Sequence, residues 1–224
     1  MFSRAALFQI LTTGLVLLLI LSPAVEVQGE PNAGDTNERT TGRETPVSLP
    51  GDKETTRESL LENGRRLYYR AVEHKPALDS ALVVFETLRR RDPEHEGRYL
   101  AYIGSLTALR GKHAFWPAKK LKLSNRGLAL LDSAVALAPR DIEALFIHGS
   151  TNHHLPFFFG RADRARASFE SILELLPSHM HEYDRDLVVH AVRFMREEMK
   201  WDDSQTARLR NIEEGVEEWT AHED

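Results

Sequence analysis

Two short stretches concentrate the residue types that can recognise a charged partner. The first, Gly111 to Lys122, reads Gly-Lys-His-Ala-Phe-Trp-Pro-Ala-Lys-Lys-Leu-Lys. Lys119, Lys120 and Lys122 supply positive charge, and Phe115 and Trp116 supply a flat apolar wall, a combination suited to an anion or a phosphate-bearing head group. In the structural alternative the two aromatics plug a gap while the lysines reach into water. The second stretch, His153 to Arg161, carries Phe157, Phe158 and Phe159 in succession. Three consecutive phenylalanines cannot all face one core from a regular helix, so at least one packs under the first stretch or is left as a contact surface. Gly160 allows a sharp turn. Arg161 and Arg164 then fall on one helical face at i, i+3. Beside the free amides of a helix N-terminus they suit a carboxylate or phosphate, and the alternative is a surface pairing with Glu170 or with the acidic C-terminal segment.

Other chemistry finds little support. The chain has no cysteine, which excludes disulfides, thiolate metal sites and cysteine nucleophiles. His148, His153 and His154 lie near one another, as do His179 and His181, but none shows the i, i+4 spacing with a supporting carboxylate that a helical metal site uses. No metal or cofactor is expected. Nucleophile elbows, phosphate loops and dinucleotide fingerprints are missing, and the paired acids Asp202-Asp203 and Glu213-Glu214 sit in polar, acidic surroundings. A non-catalytic protein is the expectation.

The net charge of −5 gives no sign of a nucleic-acid binder. The charge is uneven, however. Gly111 to Asn125 holds four lysines and no acid, whereas Glu197 to Asp224 holds ten acids against Lys200, Arg208 and Arg210. A basic centre and an acidic end are separate features, and the acidic end is a candidate to dock on the basic centre and gate it.

These residues must be carried by some framework, and the 224-residue chain divides into three parts for it. Residues 1–29 read as a signal peptide: Arg4, then the apolar run Ala5 to Leu21, then small residues at Ser22-Pro23-Ala24 and Val27-Gln28-Gly29. An uncleaved membrane anchor is the alternative, and either places the remainder outside the cytoplasmic membrane, in a periplasmic or extracellular setting. Residues 30–53 form a linker rich in Gly, Pro, Thr and Asn, too polar to fold alone. Residues 54–224 form an all-α domain of about eight helices. Thr55 and Glu58 fit a capping box for the first. Pro76 opens the second, lined by Leu78, Ala81, Leu82, Phe85 and Leu88, and Asp92-Pro93 closes it. Leu128, Leu131, Ala134, Val135 and Leu137 mark another helix, and Phe169, Ile172, Leu173 and Leu176 another, which Pro177 is expected to stop.

A repeat underlies the pattern. Second helices end near Pro93, Pro139 and Pro177. Each carries a small, a large and an apolar residue at matched positions: Ala81, Phe85, Leu88; Gly127, Leu131, Ala134; Ala165, Phe169, Ile172. First helices carry Gly64, Gly104 and Gly149. This resembles the tetratricopeptide repeat, which implies a right-handed superhelical stack of helical hairpins with a binding surface. The Trp116-Pro117-Ala118-Lys119-Lys120 segment is also similar to one in exported bacterial repeat proteins, a likeness that brings no activity with it. The glycine-to-proline separations of 29, 35 and 28 residues exceed the family's roughly 24. The surplus is expected in the elbows between paired helices, which the stack would bring together on one edge. The reading is an exported adaptor for a protein or peptide partner. Its site would be Phe115, Trp116, Lys119, Lys120, Lys122, Phe158, Arg161 and Arg164. The alternative is a small-ligand or lipid-head-group protein using the same elbows as a pocket.

Overall fold

The computed structural model describes residues 56–221. The signal segment, the linker and Thr55 lie outside the described residues. The described chain is all-helical: α1 (Arg57–Arg70), α2 (Lys75–Arg91), α3 (Glu96–Lys112), α4 (Pro117–Leu137), α5 (Ile142–His153), α6 (Ala162–His179), α7 (Arg185–Glu198) and α8 (Asp203–Ala221).

Local chemistry explains most boundaries. Thr56, rather than Thr55, caps α1 by accepting the Ser59 amide at 3.3 Å. Asp141 caps α5 through the Ala144 amide at 2.8 Å, and Asp184 caps α7 through the Leu187 amide at 3.1 Å. Pro76 and Pro117 stand in the first turns of α2 and α4, where a missing N–H costs nothing. Pro177 does not stop its helix. It falls in the last turn of α6, and the chain runs on through His179 into a short 3-10 turn.

Successive helices pair as hairpins, and in three of them the first-helix glycine meets the bulky residue of the second helix. A Cβ on Gly64 would lie 2.9 Å from the Phe85 ring, one on Gly104 3.0 Å from Leu131, and one on Gly149 3.0 Å from Phe169. The α3–α4 pair is the closest. Gly97, Gly104 and Gly111 recur every seven residues on one face of α3, and Gly127 answers from α4, so that a Cβ there would sit 2.5 Å from the Gly104 carbonyl. Gly97 faces both Ala134 and Ala138, so the buried stripe of α4 leaves the helix at Ala138. Leu137, expected inside, is therefore 60% exposed.

Two apolar clusters form the core. One joins α1 to α4; the other joins α5 to α8. Helix α5 is the seam between them. Ala144 and Ile147 face the first cluster, and Ile142, Leu145 and Phe146 face the second, so every residue from Ile142 to Asn152 is buried.

The surplus residues of the long second hairpin are taken up as helix rather than as loop. Ser105 of α3 bonds Tyr68 of α1 at 2.9 Å and Thr151 of α5 at 3.2 Å, which sets the three helices level. Counted from that level, α1 and α5 end within two residues, whereas α3 runs on to Lys112. Helix α3 therefore runs past the ends of α1 and α5 by about 7 Å at 1.5 Å per residue. Lys119, Lys120 and Lys122 lie in the first two turns of α4, not in an elbow loop.

Candidate functional site

The α3–α4 tip is built by its own sequence. A residue before proline is driven to extended backbone, and Trp116, preceding Pro117, has ψ 131°. That turns the indole off the helix end. Phe115 is 85% and Trp116 68% exposed, with their rings edge to face at 5.4 Å. They plug no gap. Lys119 and Lys122 are exposed on the following turns, Lys120 is half-buried, and Leu121 is exposed among them.

The α5–α6 elbow lies on the same edge, because α3 and α5 run parallel: Arg98 pairs with Asp141 near their starts, and Ser105 with Thr151 farther along. Leu155 and Phe159 tuck against the first core cluster. Phe157 and Phe158 remain 94% and 64% exposed. Gly160 closes the elbow at φ 62°, a left-handed conformation that glycine adopts without a Cβ penalty.

Arg161 and Arg164 hold a carboxylate, as their spacing suggested, but it belongs to the chain. Arg161 grips Asp132 of α4 with two bonds, Nη1 to Oδ2 at 3.0 Å and Nη2 to Oδ1 at 2.7 Å, and Arg164 adds a third contact at 3.0 Å. Arg161 also donates from Nε to Asn152 at 2.7 Å. Burial alone would raise the Asp132 carboxyl; Arg161, then His148, hold it below the usual range. Burial lowers the pKa of His148, so its neutral ring donates from Nε2 to Asp132 at 3.1 Å and accepts Ser168 Oγ–H at Nδ1 at 2.7 Å. Arg161 is committed to fastening the elbow, whereas Arg164 makes the one contact and keeps much of its side chain exposed. Arg166 is the one that meets Glu170, at 2.9 Å. In the acidic last helix, Glu213 engages Arg196 of α7 at 3.4 Å.

A second site emerges between α1 and α7. Its foundation is Glu143, fully buried on α5. Arg65 binds it with Nε at 2.7 Å and Nη2 at 2.6 Å, the Tyr102 hydroxyl donates to it, and Arg98 Nε stands 3.3 Å away. Burial would raise this carboxyl, but the bonds and charge of Arg65 and the charge of Arg98 outweigh it and hold the acid ionised. Arg98 is itself shared with Asp141 at 2.7 Å and lies over the Tyr183 ring at 5.4 Å. Above this platform opens a cleft of about 330 Å³. Glu62, Arg66 and Arg70 rim it on successive turns of α1, Asp184 and Asp186 face them from α7, and Tyr69 and Leu187 add apolar surface.

No residue of that cleft was singled out from sequence. The available signal was Glu143 itself, one acid inside the apolar run Ile142 to Ile147. A charge so placed in a helix buried on all sides must have cations brought to it.

Several histidines pack against aromatic rings. His153 and His154 sit edge to face with each other and with Phe194, at 5.0 to 5.5 Å, and His181 meets Trp219 at 4.8 Å. Asp92, Glu94 and His95 cluster at metal-binding distances. Arg57 Nη1 already stands 3.3 Å from Asp92 and 3.2 Å from His95, so a dication would have to displace a guanidinium. No helix among the described residues is long and apolar enough to cross a membrane.

No protein-family model, curated protein or solved structure matches this chain.

Proposed function

We propose that the chain is an exported, tetratricopeptide-like binding module, a right-handed superhelical stack of hairpins that holds a segment of a protein partner in the α1–α7 cleft. The glycine-to-bulky contacts repeated in three hairpins support the repeat reading. The signal-like residues 1–29 support export.

The observation that carries the functional reading is the cleft itself. Its walls come from helices more than 110 positions apart, and its base is pinned by Arg65 and Glu143. A rim of Arg66 and Arg70 opposite Asp184 and Asp186 is complementary to an extended segment bearing both charge signs. The expected partner is thus a peptide stretch of mixed charge.

The test is capture from envelope extract by the full chain. Arg66→Glu with Arg70→Glu should abolish capture of the partner, and Lys119→Glu with Lys120→Glu should leave it intact. Undiminished capture by the cleft variant would reject the assignment.

The volume of the cleft favours a second reading, a small ligand, since about 330 Å³ is within the range of small-molecule sites. Native mass spectrometry of gently purified protein distinguishes the two: a bound small molecule lost in the Arg66→Glu, Arg70→Glu variant selects this second reading.

A further inference from the structure

Five large apolar side chains stand exposed around one edge of the molecule for which the fold gives no reason. Phe115 and Trp116 crown the projecting α3–α4 tip, Leu121 follows on α4, and Phe157 and Phe158 crown the α5–α6 elbow. Exposed single hydrophobics are ordinary; several on adjacent projections of one edge are not. The elbow leans toward the tip's own hairpin, with Phe159 against its core cluster and Arg161 fastened to Asp132 of α4.

The charge around them is mainly positive. No acid occurs between Glu96 and Asp132 or between Glu143 and Asp163, the two intervals that contain the edge. Lys119, Lys122 and Arg126 are exposed along α4. Of the acids nearby, Asp79 is held by Arg110 at 2.8 Å and Asp132 by Arg161 and Arg164, while Asp163 is exposed in the first turn of α6 beside the elbow. Glu73 marks one end of the edge at the α1–α2 turn. Glu198, 3.7 Å from His153, marks the other with Asp202 and Asp203.

We infer that this edge docks on an anionic lipid bilayer, with Phe115, Trp116, Phe157 and Phe158 entering the interface and the lysines of α4 lying over the head groups. The projecting shape, the aromatics and the charge argue for this occupant together. A convex tip offers a protein partner little concave surface to fill, whereas a bilayer admits aromatic side chains without a matching socket. Tryptophan favours the interfacial depth, and lysine stems can lie along it with their ammonium groups outward. An anionic surface complements the basic first turns of α4, where Lys119 and Lys122 are exposed. The α1–α7 cleft takes no part, so a docked molecule could still hold its partner.

Trp116 supplies the probe. The chain has three tryptophans, all in the helical domain, so the apolar run near the N-terminus contributes none. The full chain would be mixed with vesicles of phosphatidylglycerol and phosphatidylcholine in equal parts, or of phosphatidylcholine alone, both carrying bromine on the acyl chains. The fluorescence difference between wild type and Trp116→Phe isolates the tip. Quenching of that component by the anionic vesicles only is expected. Replacing Lys119, Lys120 and Lys122 by Glu should weaken binding by more than about a hundredfold, at about fivefold per cation near the surface. These side chains are exposed or half-buried, so circular dichroism should show an unchanged melt. Absence of quenching on anionic vesicles, or equal quenching on neutral ones, would overturn the proposal. Both leave the cleft reading untouched, because that reading is scored by the Arg66→Glu, Arg70→Glu variant, whose substitutions lie in the α1–α7 cleft and not on the α4 lysines.

Discussion

Arg65 and Glu143, 78 positions apart in the chain, meet in a two-bond pair of 2.7 and 2.6 Å at the base of the α1–α7 cleft. The carboxylate has no access to water, and Arg65 is largely covered. Such a pair contributes less through its own strength than through the cost of breaking it.

Glu143→Gln keeps the shape and removes the charge, leaving Arg65 and Arg98 facing a neutral amide. Thermal denaturation should show a loss of about 3 to 5 kcal/mol. The contribution also has a pH signature. The folded acid titrates below its ordinary value of 4.5, so its stabilisation is complete above that value and is lost as pH falls through the lower folded pKa. The variant should lose this part of the acid limb.

His154 titrates in the opposite sense. Burial, then the neighbouring His153, lower its pKa from 6.5 to about 3, and its Nε2 has no hydrogen-bond partner. The unfolded chain takes up this proton below pH 6.5 and the folded chain only near 3, so stability falls as pH falls across that window. His154→Leu should reduce the slope of stability against pH between those limits by up to one proton, measured by denaturant titrations at a series of pH values.

The α3–α4 crossing tolerates no added methyl. Gly127→Ala would push a carbon against the backbone of α3 at Gly104 and Ala108 and should cost about 1 to 3 kcal/mol. Gly215→Ala is the matched control. Its Cβ would meet only Met180 Cε at an ordinary 3.6 Å, and relief of backbone entropy within α8 should stabilise by about 0.5 to 1 kcal/mol. Chemical denaturation of the two variants should give shifts of opposite sign.

Asp132→Ala should free the α5–α6 elbow. It removes the carboxylate that Arg161, Arg164 and His148 share. Hydrogen exchange should rise at the amides of residues 155–161 while those of α1 and α2 stay protected. Uniform protection throughout would show that Leu155 and Phe159 hold the elbow without the ion pairs.

The all-helical fold was legible because its periodicity is local. Phe169, Ile172, Leu173 and Leu176 recur at helical spacing and are all buried. The small and large positions of the hairpins were legible for the same reason: Gly64 against Phe85 and Gly149 against Phe169 are contacts within single hairpins. What escaped depends on partners distant in sequence. Arg161 and Arg164 announced a carboxylate, but nothing local names Asp132, 29 positions back from Arg161. The cleft required α1 to meet α7, and no spacing rule reports that. The helix signal weakens at Trp116-Pro117, which points the extra residues of the second hairpin to a loop, yet the proline begins a helix there.

Stacks of hairpins commonly touch only their neighbours, which lets such chains be shortened unit by unit. The Arg65–Glu143 pair prevents that here, since it ties the first hairpin to the third, and Arg65 also lies 3.8 Å from Asp184 of the fourth. A chain cut after Leu137 would keep Arg65 and Arg98 and lose the carboxylates that answer them. The described helices should therefore melt in a single step rather than peel from one end.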